Sequence, residues 1–286
     1  MSGRYELIHG VPVAAEIQRD WPQIENFQAR PDDILISTYP KSGTTWMQEI
    51  VDQVMNNGDE VICRRAPLYE RVPFIELMGM MKPSMEEVNA RPSPRALKTH
   101  LPIQLVPSSF WEHNCKVIYV ARNARDTITS YFHFDHMAVI HPDPGTFEEY
   151  IERFMVGNVA WGSWYDHVKG YWDEKSKPIL YVFYEDLKKD LLGEVRKVAK
   201  FLEKDLAEDV LKKIAHSSSF EQMKNNPMAN NADFPAYVLD PTLGRFMRKG
   251  TVGDWKTHFT PEQSKRFEEN YHEQMSGSTL KFPTLN

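Results

Sequence analysis

Three short, unbroken apolar runs constrain this chain more than any other feature: residues 33–38 (Asp-Ile-Leu-Ile-Ser-Thr), 116–121 (Lys-Val-Ile-Tyr-Val-Ala) and 178–183 (Pro-Ile-Leu-Tyr-Val-Phe). Each is rich in β-branched or aromatic residues and too short for a helix. Their hydrophobicity is continuous instead of alternating, which is how strands covered on both faces read. Residues 95–100 (Arg-Ala-Leu-Lys-Thr-His) form a weaker fourth candidate. Segments with helical spacing lie between the runs, at 44–55, 126–137, 146–172, 191–202 and 207–215. Alternating strands and helices predict an α/β fold, a parallel sheet with helices on both faces, and no composition break divides residues 1–286 into more than a single domain. Chemistry is then expected beyond the carboxyl ends of the strands.

With a net charge of -6, the chain lacks the basic surface that nucleic acids or anionic membranes require, so neither is expected as a partner. Any anion must be held by a local cluster of cations. Residues 1–13 carry no apolar core of a secretory signal, and no apolar run nears the roughly 18 residues of a membrane helix. Cys63 and Cys115 stand far apart, outside any C-x-x-C pattern, and a reducing, cytoplasmic location is expected. The Asn- and Pro-rich stretch 224–245 reads as a long surface loop of the kind that serves as a lid.

The first strand runs into Tyr39-Pro40-Lys41-Ser42-Gly43-Thr44-Thr45-Trp46 and then a helix. Backbone N–H groups, the positive end of the helix dipole and the Lys41 charge would converge there on a phosphate. A plainer use of Ser42 or Thr44 is as a helix cap. The order is not that of a Walker A loop, and the strand ending at Ala121 meets Arg122 in place of a magnesium-binding Asp, so no metal is expected. Arg122 and Ser130 offer a second anion site, and Arg245-Phe246-Met247-Arg248-Lys249-Gly250 a third, unless that run is only a solvated charged face. Extended backbone puts Lys98 and His100 on one face, where the ammonium disfavours protonating the imidazole and leaves a candidate general base. His133, Asp135, His136 and His141 lie close in sequence but lack a metal-binding motif.

Taken together, these segments resemble the cytosolic sulfotransferases, the phenol (aryl) type in particular. Residues 27–46 are similar to that family's 5′-phosphosulfate loop and leading strand, 122–130 to its 3′-phosphate motif, and 246–256 to its R-K-G-x-x-G-D-W-K signature. Thr45, where hydroxysteroid-type relatives usually have Asn, favours the phenol type. The resemblance implies transfer of a sulfuryl group from 3′-phosphoadenosine 5′-phosphosulfate (PAPS) to the hydroxyl of a small acceptor, with the bisphosphate PAP as product. It implies His100 as base, with Lys41 and Lys98 at the transferring group and leaving phosphate. Ser42, Gly43, Thr44 and Thr45 would belong to the phosphosulfate loop, and Trp46 and Phe220 would sandwich the adenine. Arg122, Ser130, Arg248, Lys249 and Gly250 would hold the 3′-phosphate, flanked by Phe246 and Met247, while Tyr184 and Ser218 would reach the adenine and its surroundings. Phe74 and Phe134 would line the acceptor pocket. Ser218 stands where the family often has Thr.

Two other readings compete: a P-loop-like small-molecule kinase and a non-catalytic nucleotide binder. The first lacks its Walker lysine, and the second has no reason to retain Lys41, Lys98 and His100 together. Relatives pair through a segment reading Lys-x-x-x-Thr-Val-x-x-x-Glu, and the matching positions here are Lys256, Thr260, Pro261 and Lys265. The charge reversal at Lys265 and the N–H lost at Pro261 predict a monomer or weak homodimer. Thr260 to Gln263 also has the form of a capping box that starts a helix.

Overall fold

In the computed structural model, residues 4–231 and 233–284 are described. An antiparallel hairpin comes first, β1 (Tyr5–Ile8) and β2 (Val11–Ala14), turning at His9 and Gly10, both with positive φ. The three apolar runs and the weaker fourth candidate follow as β3 (Ile34–Thr38), β4 (Ala96–Thr99), β5 (Lys116–Ala121) and β6 (Ile179–Phe183), all parallel, in the order β4-β3-β5-β6.

Alternate side chains of the sheet enter two cores. Leu35, Leu97, Val117 and Tyr119 join one, with Ile128, Tyr150, Phe154 and Val168 from the helices Ala124–Asp135, Phe147–Met155 and Trp164–Asp173. Ile36, Ile118, Val120 and Val182 join the other, with Ile50, Val198 and Ile214 from the helices Thr44–Met55, Leu191–Phe201 and Glu208–Ser217. Both faces are therefore dry, as the continuous apolar runs require. Among the described residues no helix is long and apolar enough to cross a membrane.

Two expectations change. Residues 146–172 are not one helix: Phe147–Met155 and Trp164–Asp173 are separated by a turn in which Gly157, Trp161 and Gly162 have φ of 73°, 72° and 76°. A Cβ on Gly157 would stand 2.9 Å from the backbone nitrogen of Ser163, so the turn closes only around glycine. The Trp161 N–H donates to the Pro12 carbonyl at 2.7 Å, and the hairpin thereby fixes the break.

The stretch 224–245 is not a surface loop throughout. Ala229, Val238 and Leu239 are buried. The Met228 carbonyl accepts from Leu68 N and from Arg71, and Val139 N and Asp240 N donate to Val238 O and Met137 O. Arg71 is itself buried between Glu49 and Asp52 of the helix Thr44–Met55, so the root of the loop is tied to the helix that follows the phosphate loop.

The break in residues 146–172 yields a stability test. Gly157→Ala should destabilise the protein by more than about 1 kcal/mol, because it adds both a left-handed alanine and a backbone clash. At this chain length that lowers Tm by roughly 2–4 °C per kcal/mol. Gly277→Ala is the control, with φ of 78° but nothing within 4 Å of the added Cβ. Calorimetry showing equal losses would remove the clash from the explanation.

Candidate active site

Parallel register brings the reactive groups together. β3 pairs Ile36 with Lys98 and Ser37 with Thr99, so the chain leaves β4 at His100 beside Thr38 and leaves β3 toward Lys41. Lys41 has φ of 68° and Gly43 of 108°; a Cβ at Gly43 would come within 2.9 Å of the Tyr184 ring. This tight left-handed turn opens the helix Thr44–Met55 and leaves its first N–H groups facing outward.

His100 is fixed at three points. Its backbone N–H donates to Glu76 at 2.7 Å, its carbonyl accepts from His167 Nε2 at 3.0 Å, and its Nδ1 donates to the Thr38 carbonyl at 2.8 Å. A carbonyl only accepts, so the proton sits on Nδ1 and the lone pair on Nε2. Burial, then the positive charge of Lys98, holds the imidazole well below its ordinary pKa and keeps it neutral. Burial also lifts the Glu76 carboxyl to about 7 while that group clamps Thr99 Oγ1 at 2.8 Å.

Lys41 and Lys98 are the other decisive groups. The Lys41 ammonium lies 4.4 Å from the ring centroids of both Phe134 and Phe246, and that of Lys98 4.6 Å from Phe74. Neither forms an ion pair with a carboxylate among the described residues. Burial, then Arg122, pulls Lys41 down to about 7, and burial pulls Lys98 down to about 8.

Arg122 donates to the carbonyls of Lys41 at 3.1 Å and Thr251 at 3.0 Å, bracing the early loop against the late one, with its guanidinium 4.4 Å over Tyr184. Asp254 gathers the two late cations, Arg248 at 2.5 Å and Lys249 at 2.6 Å. Trp46 meets Tyr184 edge-on at 5.4 Å.

One cavity joins these parts. Its wall includes Lys41, Gly43, Thr44, Thr45, Trp46, Arg122, Ser130, Tyr184, Phe220, Phe246, Met247, Arg248, Lys249 and Gly250, together with Phe74, Lys98, His100 and Phe134. Two expected residues stand apart. Ser42 is buried beneath the loop with its hydroxyl unpartnered, and the Ser218 hydroxyl donates back to Ile214 O at 2.6 Å, inside its own helix end. Phe246 is part of an aromatic wall, stacked on Phe234 at 6.1 Å.

The sequence reading missed several wall residues, among them Trp161, Phe234, Val238 and Leu239. Trp161 lies 5.6 Å from His100 and 5.9 Å from Phe74. The glycines at 157 and 162 were the available signal for its turn. Among the described residues no group of three or more His, Cys, Asp or Glu is placed to hold a metal.

The cavity thus has a cationic, loop-lined half and an aromatic half, with a neutral imidazole and two buried ammonium groups at their junction. A sulfotransferase domain matches residues 31–279. The chain belongs to the sulfotransferase family. It is 54% identical over 277 residues to rabbit (Oryctolagus cuniculus) sulfotransferase 1C2, covering 96% of this chain and 94% of that one. It is 53% identical over 284 residues to sulfotransferase 1 family member D1 of Mus musculus, covering 98% and 96%. Among solved structures it is similar to retinol dehydratase in complex with retinol and PAP, with a TM-score of 0.87, 26% identity and coverage of 98% and 92%. A mouse sulfotransferase complexed with PAP superposes with a TM-score of 0.79, at 33% identity over 96% and 95% of the two chains. Sulfuryl transfer from PAPS to a hydroxyl acceptor is the activity this membership carries, and kinase chemistry is not favoured.

The residues present fit a bisphosphate nucleotide. Lys41 and Lys98 are buried cations that form no carboxylate ion pair among the described residues, and the Trp46 Nε1 in the cavity wall is a buried donor left unpartnered. Such groups call for an anion and hydrogen-bond acceptors.

The lysine pKa values predict how nucleotide affinity varies with pH. Binding a polyanion raises the pKa of each ammonium, so PAP should bind best where Lys41 and Lys98 are already charged. Affinity should fall as pH rises past about 7 to 8, by up to roughly tenfold per unit for each lysine. Calorimetry at pH 8 in buffers of different ionisation enthalpy should show proton uptake on PAP binding, reduced in Lys41→Met. Uptake that is unchanged in the variant would place the titration elsewhere.

Proposed function

We propose that this chain is a single sulfotransferase unit of the phenol type, acting on small phenolic or related apolar acceptors, with His100 as general base. The observation that carries this reading is the neutral imidazole, its Nδ1–H tied to Thr38 O, flanked by two buried lysines at the junction of the cationic and aromatic halves.

PAPS supplies the sulfuryl group when bound. Trp46, Phe220 and Tyr184 would hold its adenine, and Arg122, Ser130, Arg248, Lys249 and Gly250 its 3′-phosphate. Arg122 and Asp254 support this by holding the loops and the late cations in place. Ser218 does not line the cavity, and its hydroxyl donates to Ile214 O, which leaves its lone pairs able to accept. His100 Nε2 takes the proton from the acceptor hydroxyl, which sharpens it as a nucleophile. Lys41 and Lys98 set positive charge where the leaving phosphate oxygen becomes more anionic, and burial makes that charge worth more than it would be in water. Phe74, Phe134, Trp161 and Phe246 exclude water and present an aromatic slot that suits a flat phenol. The retinol dehydratase structure holds both an apolar alcohol, retinol, and PAP, in keeping with a cavity that has an aromatic and a cationic half.

His100→Ala should lower turnover of every acceptor by at least roughly 10²-fold, because proton transfer is lost. PAP affinity, measured by calorimetry, should change by less than about threefold, since binding of the nucleotide does not use Nε2. Turnover should be assayed with PAPS and a panel of phenols, catechols, steroids and amines, without added metal. Loss of PAP binding along with activity would make His100 structural, and turnover only with ATP and magnesium would overturn the reading.

We also propose a cytoplasmic monomer or weak homodimer. Both cysteines are free and buried, which suits a reducing compartment. Thr260 accepts from Gln263 N at 3.1 Å, and Gln263 accepts from Thr260 N at 2.9 Å, so the segment through which relatives pair is engaged in starting the helix Pro261–Gln274. Lys265 is 79% exposed in place of an acid. Sedimentation velocity at low micromolar protein should show mostly monomer. A tight dimer disrupted by changing Lys256 or Thr260 would establish the family interface instead.

A further inference from the structure

The nucleotide half of the cavity depends on how its two late cations are aimed. Arg248 and Lys249 both pair with Asp254 and form no other ion pair among the described residues. Asp254 is nearly buried and opens a short 3-10 turn, Asp254–Thr257. Whatever fixes that turn therefore aims the cations. The turn is held against one face of the helix Ala124–Asp135 at two places. At its start, Asp126 accepts from Gly253 N at 2.7 Å and from Trp255 N at 3.2 Å. At its end, His258 Nε2 lies 3.0 Å from His133 Nε2. Positions 126, 130 and 133 share a helix face, so Ser130, which lines the cavity, stands between the two anchors. The anchors lie about 10 Å apart along the helix axis. One alone would let the turn pivot, whereas two set both its distance and its angle to Ser130.

The direction of the histidine bond follows from its surroundings. His258 Nδ1 lies 3.0 Å from the Asp254 carbonyl, which only accepts, so that nitrogen carries the proton and Nε2 the lone pair. His133 Nε2–H is then the donor. Burial, then Arg248 and His258, holds His133 down to about 4, which keeps its ring neutral beside the two cations. Apolar rings could fill the same gap, as Phe147 does on another side of His258, with centroids 6.1 Å apart. A hydrogen bond adds what such contact lacks, a preferred direction.

We propose that His133 and His258 are positioning residues for the 3′-phosphate site, their hydrogen bond being the second clasp that holds Arg248 and Lys249 opposite Ser130. Neither histidine touches the nucleotide. The pair acts through Asp254, whose carbonyl accepts from His258 while its carboxylate holds the cations. What the clasp controls is how strongly the protein prefers a nucleotide that bears a 3′-phosphate over one that lacks it. This rests on the reading of Arg248, Lys249 and Ser130 as 3′-phosphate ligands and assigns the residues that keep them in register.

PAP and AMP differ only in the 3′-phosphate, so the ratio of their dissociation constants isolates that group. Calorimetry on the native protein should favour PAP by at least roughly tenfold. His133→Phe and His258→Phe should each lower the ratio by roughly three- to tenfold, with AMP affinity within about twofold of native. The double variant should lose no more than the worse single one, because both break the same bond. His133→Gln, whose amide can donate from nearly the same place, should recover part of the loss. If a Phe variant fails to fold, His258→Asn still reports: it keeps a donor near Asp254 O, cannot reach His133, and should lower the ratio too. An unchanged ratio in the soluble variants, equal losses for PAP and AMP, or additive losses in the double variant would each overturn the inference. A native protein that does not distinguish PAP from AMP would refute the 3′-phosphate reading itself, and this inference with it.

Discussion

The parallel pairing of β3 with β4 is the constraint on which the site depends. A strand's carboxyl end is where backbone stops being used for the ladder and becomes free to present side chains. Two adjacent strands that stop level with each other place Lys41, Lys98 and His100 in one small volume although they are far apart in sequence. The same pairing puts the Thr38 carbonyl opposite His100 Nδ1, so the tautomer needed of a base follows from sheet register, without a dedicated carboxylate. Glu76 and His167 then hold the backbone of His100 from both sides.

Charge is distributed with matching economy. Where cations only have to be aimed, they are given protein partners: Asp254 takes Arg248 and Lys249, and Arg122 spends N–H groups on two loop carbonyls. Lys41 and Lys98, which line the cavity with His100, lie against aromatic rings instead. Their depressed pKa values reflect a protein that leaves the neutralising anion to be brought in.

Much of this was legible in the sequence because it is local. Continuous apolar runs marked β3, β5 and β6, a weaker and more polar segment marked β4, and the order of Lys41, Gly43 and Thr44 after β3 marked an anion loop that is not a Walker loop. What escaped depended on the chain meeting itself at long range. Trp161 lies in a stretch with good helical spacing, and its left-handed turn exists because Pro12 accepts its N–H and Gly157 lets Ser163 approach. Ser218 lies off the cavity wall with its hydroxyl donating to Ile214 O at its own helix end, a placement that the residue type does not show. The run of residues 224–245 carried no periodicity that would reveal Val238 and Leu239 pairing against Ala138.

That pairing divides the stretch 224–245 into parts with different freedom to vary. Its root is pinned at Met228 by Leu68 N–H and by Arg71, and its middle is stitched to residues 137–139 through Val238 and Asp240. Insertions or deletions between these pins would alter the roof over the aromatic slot and the reach of Phe234, while the phosphate loop and the strand ends stay in register. Beyond Asp240, changes of length would instead shift the approach of Phe246 and Arg248. A lineage of such proteins could therefore explore new acceptors by changing one stretch of chain and leave its nucleotide chemistry untouched.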